Sequence, residues 1–506
     1  MLSDKLNQLL QSLSGFLPEV SLAALFVVLI IVDLIFYNKE QKPTVYIALA
    51  GLVFVGVLTY QQWNQLPSPI SLFLGMIVVD KTAILFKGIF LVAAVLTLLL
   101  SLHNHKESDE RSYLKSGEYV SLLVAITLGL HLMAMAANLL MIYLSVELVS
   151  ISSYILATFK HNKKGSEGGL KYLLFGAMSS GIMLYGMSLL YGFTGTLSLS
   201  LQEGTTFITE LLAVHSLPVL LAVFLTVGGL LFKIAAAPFH IWAPDVYESA
   251  PTPVVAFFSV APKAAGFAVL LRFLLSTWLL YPDQIGSEHF SPIRAILIAI
   301  AILTLIVGNF SALWQKNAKR MLAYSSIAHA GFMLAGLLAV NELGWQSVLF
   351  YLVVYLFMNF AAFLLIDAIY QQRQTEEIED YKGLGIQNQF LGVAFLIVMI
   401  ALTGLPPTAG FTAKLFIFSA LWQDYQSTGD NLVLLLFVVG LFNVVVALFY
   451  YLRIPYYMFF RSGKELNTIN LGMYTVLLLV FLIVAVFLFF FKADWLMNII
   501  TAASIN

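Results

Sequence analysis

The sequence predicts an all-α polytopic membrane protein of about 14 transmembrane helices, arranged as two inverted five-helix repeats that each contain a broken helix. Three observations carry this prediction. The chain is 60% hydrophobic and 10% charged, where an ordinary soluble domain is about 25% charged. Apolar runs of spanning length recur along all 506 residues. Two of those runs are too long for one straight helix and are interrupted, one at AAAPF and the other at GLPPTAGF.

The apolar runs fall at residues 19–37, 44–60, 82–103, 118–136, 138–158, 169–193, 217–247, 253–276, 293–313, 320–339, 344–369, 388–424, 432–456 and 471–491. The segment before them, Met1 to Pro18, is polar and amphipathic without a basic-led apolar core, and is expected to be a mature N-terminus and not a signal peptide. Residues 61–80 contain two prolines and the β-rich stretch SLFLGMIVV, so a hairpin or re-entrant element is expected there. The connections after odd-numbered helices carry Lys39 and Lys42; Lys106, Arg111 and Lys115; Lys160, Lys163 and Lys164; Lys316, Lys319 and Arg320; Arg373 and Lys382; and Arg461 and Lys464. The connection after the seventh helix is the exception, and the connections at 194–216, 277–292, 340–343 and 425–431 carry no Lys or Arg. Basic loops stay on the inner side, which places both termini on the outer face; the expected location is the cell inner (plasma) membrane.

Four divisions follow: 1–117 with three N-terminal helices; 118–276, a first repeat with its broken helix at 217–247; 293–456, a second repeat with its broken helix at 388–424; and 471–506 with the C-terminal helix. The two broken helices are five helices apart, an odd number, so the repeats insert with opposite topology. That is the architecture of secondary transporters, whose site lies near the bilayer midplane. No loop is long enough for a soluble catalytic domain. The net charge of −1 gives no sign of nucleic-acid binding, and the absence of cysteine excludes disulfides and cysteine-ligated clusters.

The chemistry is sought in charges inside the apolar runs, because an ionisable group near mid-membrane costs about 3 kcal/mol or more and is rarely there without a purpose. Glu147 lies mid-helix in MIYLSVELVSISSYIL; it is either a neutral acid satisfied by Ser145 or Ser150, or a proton carrier. Lys171 opens the sixth helix, as a snorkelling lysine or as a partner of Glu147. Lys233 lies near the middle of its run, beside the break. Lys263 follows Pro262, and Lys414 repeats the lysine-beside-break pattern in GLPPTAGFTAKLFIF. His329 lies mid-helix in AYSSIAHAGFML, a relay or a satisfied core group. Asp245 and Glu248 are expected in the loop at the inner face, as solvated loop carboxylates or a path entrance. Asp33, Lys87, Arg272, Asp367 and Arg453 lie nearer helix ends and are assigned to anchoring or packing. Burial disfavours a charged lysine and a neighbouring carboxylate favours it, so these groups form a candidate proton path: Glu147, Lys233, Lys263, His329, Lys414. At Lys414, glutamate is expected to be better tolerated than arginine, since a carboxylate titrates and a guanidinium does not.

The stretch PFHIWAPDVYESAPTPVVAFFSVAPKAAGF closely resembles the signature of the subunit N family of proton-pumping NADH:quinone oxidoreductase, respiratory complex I, and NAKRMLAYSSIAHAGFML and GLPPTAGFTAKLFIF match the family's other strong segments. Ser249 departs from the glycine usual at its position. The resemblance implies a fourteen-helix fold with two inverted repeats. It places the functional residues on Glu147, Lys233, Lys263 and Lys414, with Lys171 near the glutamate. It implies no cofactor in this subunit, with NADH, FMN, iron–sulfur clusters and quinone in the rest of the complex. The implied partners are the other membrane-arm subunits, especially the M-like and K-like ones, and the lipid bilayer. The alternative is a subunit of a multi-subunit cation/proton antiporter, which shares the lysine and glutamate plan. A membrane scaffold without transport is disfavoured, since it has no need of buried charges.

Overall fold

A computed structural model describes residues 9–36, 43–102, 116–160, 162–199, 216–276, 287–462, 469 and 471–503. Lys39, Lys42, Lys106, Arg111, Lys115 and Lys464, which enter the orientation argument, lie outside the described residues.

The helices in chain order are α1 (Leu17–Ile35), α2 (Thr44–Gln65), α3 (Lys81–Ser101), α4 (Gly117–Met135), α5 (Leu139–Ala157), α6 (Lys163–Thr194), α7 (Ser216–Lys233), α8 (Trp242–Ser249), α9 (Thr252–Ser276), α10 (Ser287–Leu313), α11 (Ala318–Leu338), α12 (Glu342–Arg373), α13 (Gln389–Thr403), α14 (Ala409–Thr428), α15 (Asn431–Phe460), α16 (Met473–Phe491) and α17 (Ala493–Ala502). Twelve helices among the described residues are long and apolar enough to cross a membrane, and the shorter apolar helices Leu217–Lys233 and Gln389–Thr403 are the first halves of the two broken ones. The expected helix at 44–60 runs on to Gln65. The hairpin expected after it is β1 (Ile70–Leu72) paired antiparallel with β2 (Ile77–Val79), Ile70 opposite Val79.

Helix starts are set by side chains that accept a hydrogen bond from a first-turn amide. Asp80, Ser116, Asn138, Asn162, Asn317, Asn341, Asn388 and Asp430 do so. Each satisfies a backbone donor that the helix itself leaves open.

The chain divides into two compact units. The first comprises Met1–Ile234, Ala261–Ile293 and Ala502–Asn506, and the second Ala235–Val260 and Arg294–Thr501. In the first, α6 packs along α7, and α4 packs against α1, α3 and α5. In the second, α12 packs against α11, α13, α14 and α16. The chain passes between units at Ile234/Ala235, directly after Lys233, and again at Val260/Ala261, shortly before Lys263.

Candidate functional site

Two interruptions position the buried lysines. After α7, the backbone turns through Ala235 with φ +57°, and the Ala237–Pro238 bond is cis. A left-handed conformation is uncommon for a residue with a side chain. The Ala237 N–H donates to Thr304 Oγ1 of α10 at 2.9 Å, within the second unit. The second half of the broken segment is α8, which ends at Ser249, beyond the expected boundary at 247. After α13, Gly404 turns with φ +85°, and Pro406–Pro407 is cis. A side chain at Gly404 would be strained by that φ, and its Cβ would sit 2.7 Å from Lys414 Cδ.

In the first unit, Lys233 is the last residue of α7 and is buried. Its ammonium donates to Ser150 Oγ on α5 at 2.8 Å. The Ser150 hydroxyl donates in turn to the Val146 carbonyl at 2.7 Å, so its lone pair faces the lysine. Glu147 lies one helical turn before Ser150 and acts electrostatically on Lys233. Glu147 is half-buried, and its Oε1 has no hydrogen-bond partner. Of the two sequence readings of Glu147, satisfaction by Ser150 does not describe this geometry, because the Ser150 hydroxyl is committed to Val146 and Lys233. Lys263 is buried on α9. One turn beyond it, Gly266 permits close approach of α7: a Cβ there would lie 3.2 Å from Lys233 Cβ and 2.8 Å from Ile234 Cγ2.

Lys171 lies on α6. It is 41% exposed and pairs with Glu167 at 2.9 Å, four residues earlier on α6, the ordinary spacing for a pair on one helix face.

In the second unit, Lys414 is buried in the first turns of α14 and reaches back across the break. Its ammonium donates to the carbonyls of Leu402 and Thr403, at 3.2 and 2.5 Å. These are the open carbonyls at the C-terminal end of α13, the negative end of its dipole. The same ammonium lies 4.9 Å from the centroid of the Phe332 ring, within cation–π range. Lys233 closes the first half of its broken helix, whereas Lys414 sits in the second half of its own.

His329 is buried on α11 and bridges two tyrosines. Its Nδ1 lies 2.7 Å from the Tyr351 hydroxyl and its Nε2 2.9 Å from the Tyr451 hydroxyl. Tyr451 also bonds Ser325. Tyr450 donates to Asn309 Oδ1 at 3.1 Å, and Asn309 donates to Asn443. The tyrosines were not picked out by sequence reasoning, since a tyrosine in an apolar run gives no signal of which way its hydroxyl points.

Asp245 and Glu248 are on α8 and not in a loop. Both bind one nitrogen of Arg320, at 2.7 and 2.9 Å. The neighbouring Lys319 is fully buried, donates to the Ala250 carbonyl at 2.9 Å, and pairs with Glu376 at 3.1 Å. Ser249, at the position where the resemblance implies glycine, is buried, and its hydroxyl donates to the Val246 carbonyl at 3.3 Å. No group of metal-ligating side chains occurs among the described residues.

The family described as NADH:quinone oxidoreductase/Mrp antiporter, TM, matches residues 136–443, a span that holds Glu147, Lys233, Lys263, His329 and Lys414. NADH-quinone oxidoreductase subunit N of Chlorobium chlorochromatii is 41% identical over 469 residues, covering 91% of this chain and 88% of that one. A chain of respiratory complex I from Thermus thermophilus, solved with bound aureothin, is 31% identical with a TM-score of 0.77, covering 96% of this chain and 100% of that chain. A chain of the Mrp complex from Dietzia sp. gives a TM-score of 0.80 at 17% identity, covering 97% of each, and shows a shared fold alone. Membrane composition by itself does not produce identity of 41% across nine-tenths of a chain, and this chain belongs to the NADH-quinone oxidoreductase subunit N family.

Proposed function

We propose that the chain is a proton-translocating, antiporter-like membrane subunit of an NADH:quinone oxidoreductase. The observation that carries the proposal is Lys233: a buried ammonium at the end of a half-helix, held by Ser150 and acted on by Glu147. A lysine in that position exchanges a proton when the balance between burial and its neighbouring charge changes. An ionised Glu147 holds the ammonium in place; loss of that charge leaves burial acting alone against it. The proposed relay runs from Lys233 through Lys263 and His329 to Lys414. The redox step belongs to other subunits, which hold the NADH, FMN, iron–sulfur and quinone sites; this chain has no cysteine to offer a cluster. Quinone reduction there reaches this subunit as a change of charge at or near Glu147, and a proton is driven outward.

The proposed setting is the inner (plasma) membrane with both termini outside, beside M-like and K-like membrane-arm subunits. The proposed division is into repeats at 118–276 and 293–456. The test is Lys233→Met, which keeps an unbranched side chain one atom shorter and removes its charge. In the assembled complex, in sealed vesicles, proton pumping is expected to fall to background while the subunit remains inserted. Pumping at the normal level would overturn the proposal.

A further inference from the structure

Glu19, Lys87 and His131 lie outside the lysine relay, on α1, α3 and α4, and the side chains of all three are 0% exposed. Sequence reasoning assigned Lys87 to anchoring or packing; it is the cation of a buried cluster. Glu19 Oε1 lies 2.9 Å from Lys87 Nζ and 3.0 Å from His131 Nδ1. Lys87 also donates to Gln62 Oε1 of α2 at 3.0 Å. One carboxylate oxygen therefore collects both contacts. The other, Oε2, is buried with no hydrogen-bond partner, and so is His131 Nε2.

The chemistry of these atoms fixes the hydrogen count. An ionised carboxylate only accepts, so His131 Nδ1 carries the hydrogen it shares with Glu19. A neutral imidazole then presents Nε2 as a bare acceptor. Glu19 Oε2 is an acceptor as well, so two acceptors of the cluster are buried without a partner, which is costly. Glu19 and Lys87 cancel in charge, and a static ion pair has no need of the histidine. A proton arriving at Nε2 removes one of these unpartnered acceptors and leaves an imidazolium in contact with the Glu19 carboxylate.

The groups that act on His131 are Glu19 and Lys87. The other titratable or charged groups on the helices packed against α4 are Asp33 of α1; Tyr46 and Tyr60 of α2; Lys81 of α3 with Asp80 at its cap; and Tyr143, Glu147 and Tyr154 of α5. Glu118 and Tyr119 lie on α4 itself. Asp33 bonds the amide of Gly117 at the far end of α4, and Arg272, which donates to the Ala134 carbonyl, is paired with Asp80.

We infer that Glu19, Lys87 and His131 form a second proton-holding site, which takes one proton at His131 Nε2 against the fixed charges of Glu19 and Lys87. It shares no residue with the proposed relay and joins the three N-terminal helices to α4. The experiment is a pH titration of the full chain in lipid nanodiscs with ¹⁵N-labelled histidine, read by solid-state NMR. The His131 signals are assigned by their loss in His131→Gln, or in His131→Met should the first variant not insert. The expected result is an Nδ1–H tautomer that converts to imidazolium as the pH falls. Glu19→Gln is expected to abolish that conversion or move its midpoint by about one pH unit or more. A wild-type His131 that stays neutral throughout, or a titration indifferent to Glu19→Gln, overturns the inference. The readout is protonation and not pumping, so its failure and a failure of the pumping proposal are separate results.

Discussion

Ser150 is the most direct way to test whether the geometry around Lys233 matters to proton transfer. Its hydroxyl is the acceptor of the buried Lys233 ammonium, at 2.8 Å. Ser150→Ala deletes that acceptor and leaves Lys233, Glu147 and the break intact. A hydrogen bond to a charged group contributes about 1.5–3 kcal/mol, which converts to about a 10- to 150-fold change in rate if the bond is present only while the proton is held. The gain in helix propensity from serine to alanine, about 0.5 kcal/mol, is too small to offset this. The Val146 carbonyl loses only the extra bond from the hydroxyl, since it lies inside a regular helix. Proton pumping by the assembled complex in sealed vesicles is therefore expected to slow by one to two orders of magnitude. Ser150→Thr, which keeps a hydroxyl, is expected to restore most of the rate. Wild-type pumping in Ser150→Ala would refute the reasoning, because the contact would then be incidental to the proton step.

Lys414→Arg is expected to assemble and fail to pump: a guanidinium can still donate to Leu402 and Thr403 but does not release a proton; full pumping would make Lys414 a fixed helix cap. Lys414→Glu, which sequence reasoning favoured over arginine, is expected to be the worse of the two. A carboxylate there would face two carbonyl oxygens and an aromatic ring, so the complex is expected to assemble poorly; normal assembly, measured on native gels, would contradict this. Gly404→Ala forces a side chain into a left-handed position, at about 1–2 kcal/mol, and pushes on the Lys414 stem. Its thermal midpoint and its pumping are expected to fall together, and an unchanged midpoint would show that the turn tolerates a Cβ.

The helices were legible because each requires only a local property, an apolar run of spanning length bounded by polar caps such as Asp80 and Asn138. The breaks were legible for the same reason, since Pro238, Pro406 and Pro407 mark them directly. What was illegible is which helix face meets which. Lys171 and Glu147 stand on consecutive helices, yet Lys171 pairs along its own helix with Glu167. Glu19, Lys87 and His131 are separated by more than forty residues at each step, and no spacing rule links them; the available signal was an ionisable group in each of three apolar runs. Lys87 was set aside because it lies early in α3, although depth in the chain says little about burial when the neighbouring helices cover that end.

The two lysines beside the breaks look equivalent in sequence and are not equivalent in chemistry. Lys233 donates to a hydroxyl, which can rotate about its Cβ–Oγ bond and turn its lone pair away. Lys414 donates to two backbone carbonyls at a helix end, which are fixed by the helix and point where they point regardless of the proton. At the C-terminus of a half-helix such carbonyls form a cation site in their own right, so the Lys414 ammonium satisfies acceptors that would otherwise be exposed by the break. Releasing its proton leaves an amine whose two N–H groups can still serve those two carbonyls, and release from Lys233 leaves Ser150 bonded to Val146. Lys414 thus closes the C-terminal end of α13 as well as standing in the proposed relay, a structural role that the Ser150 contact of Lys233 does not carry.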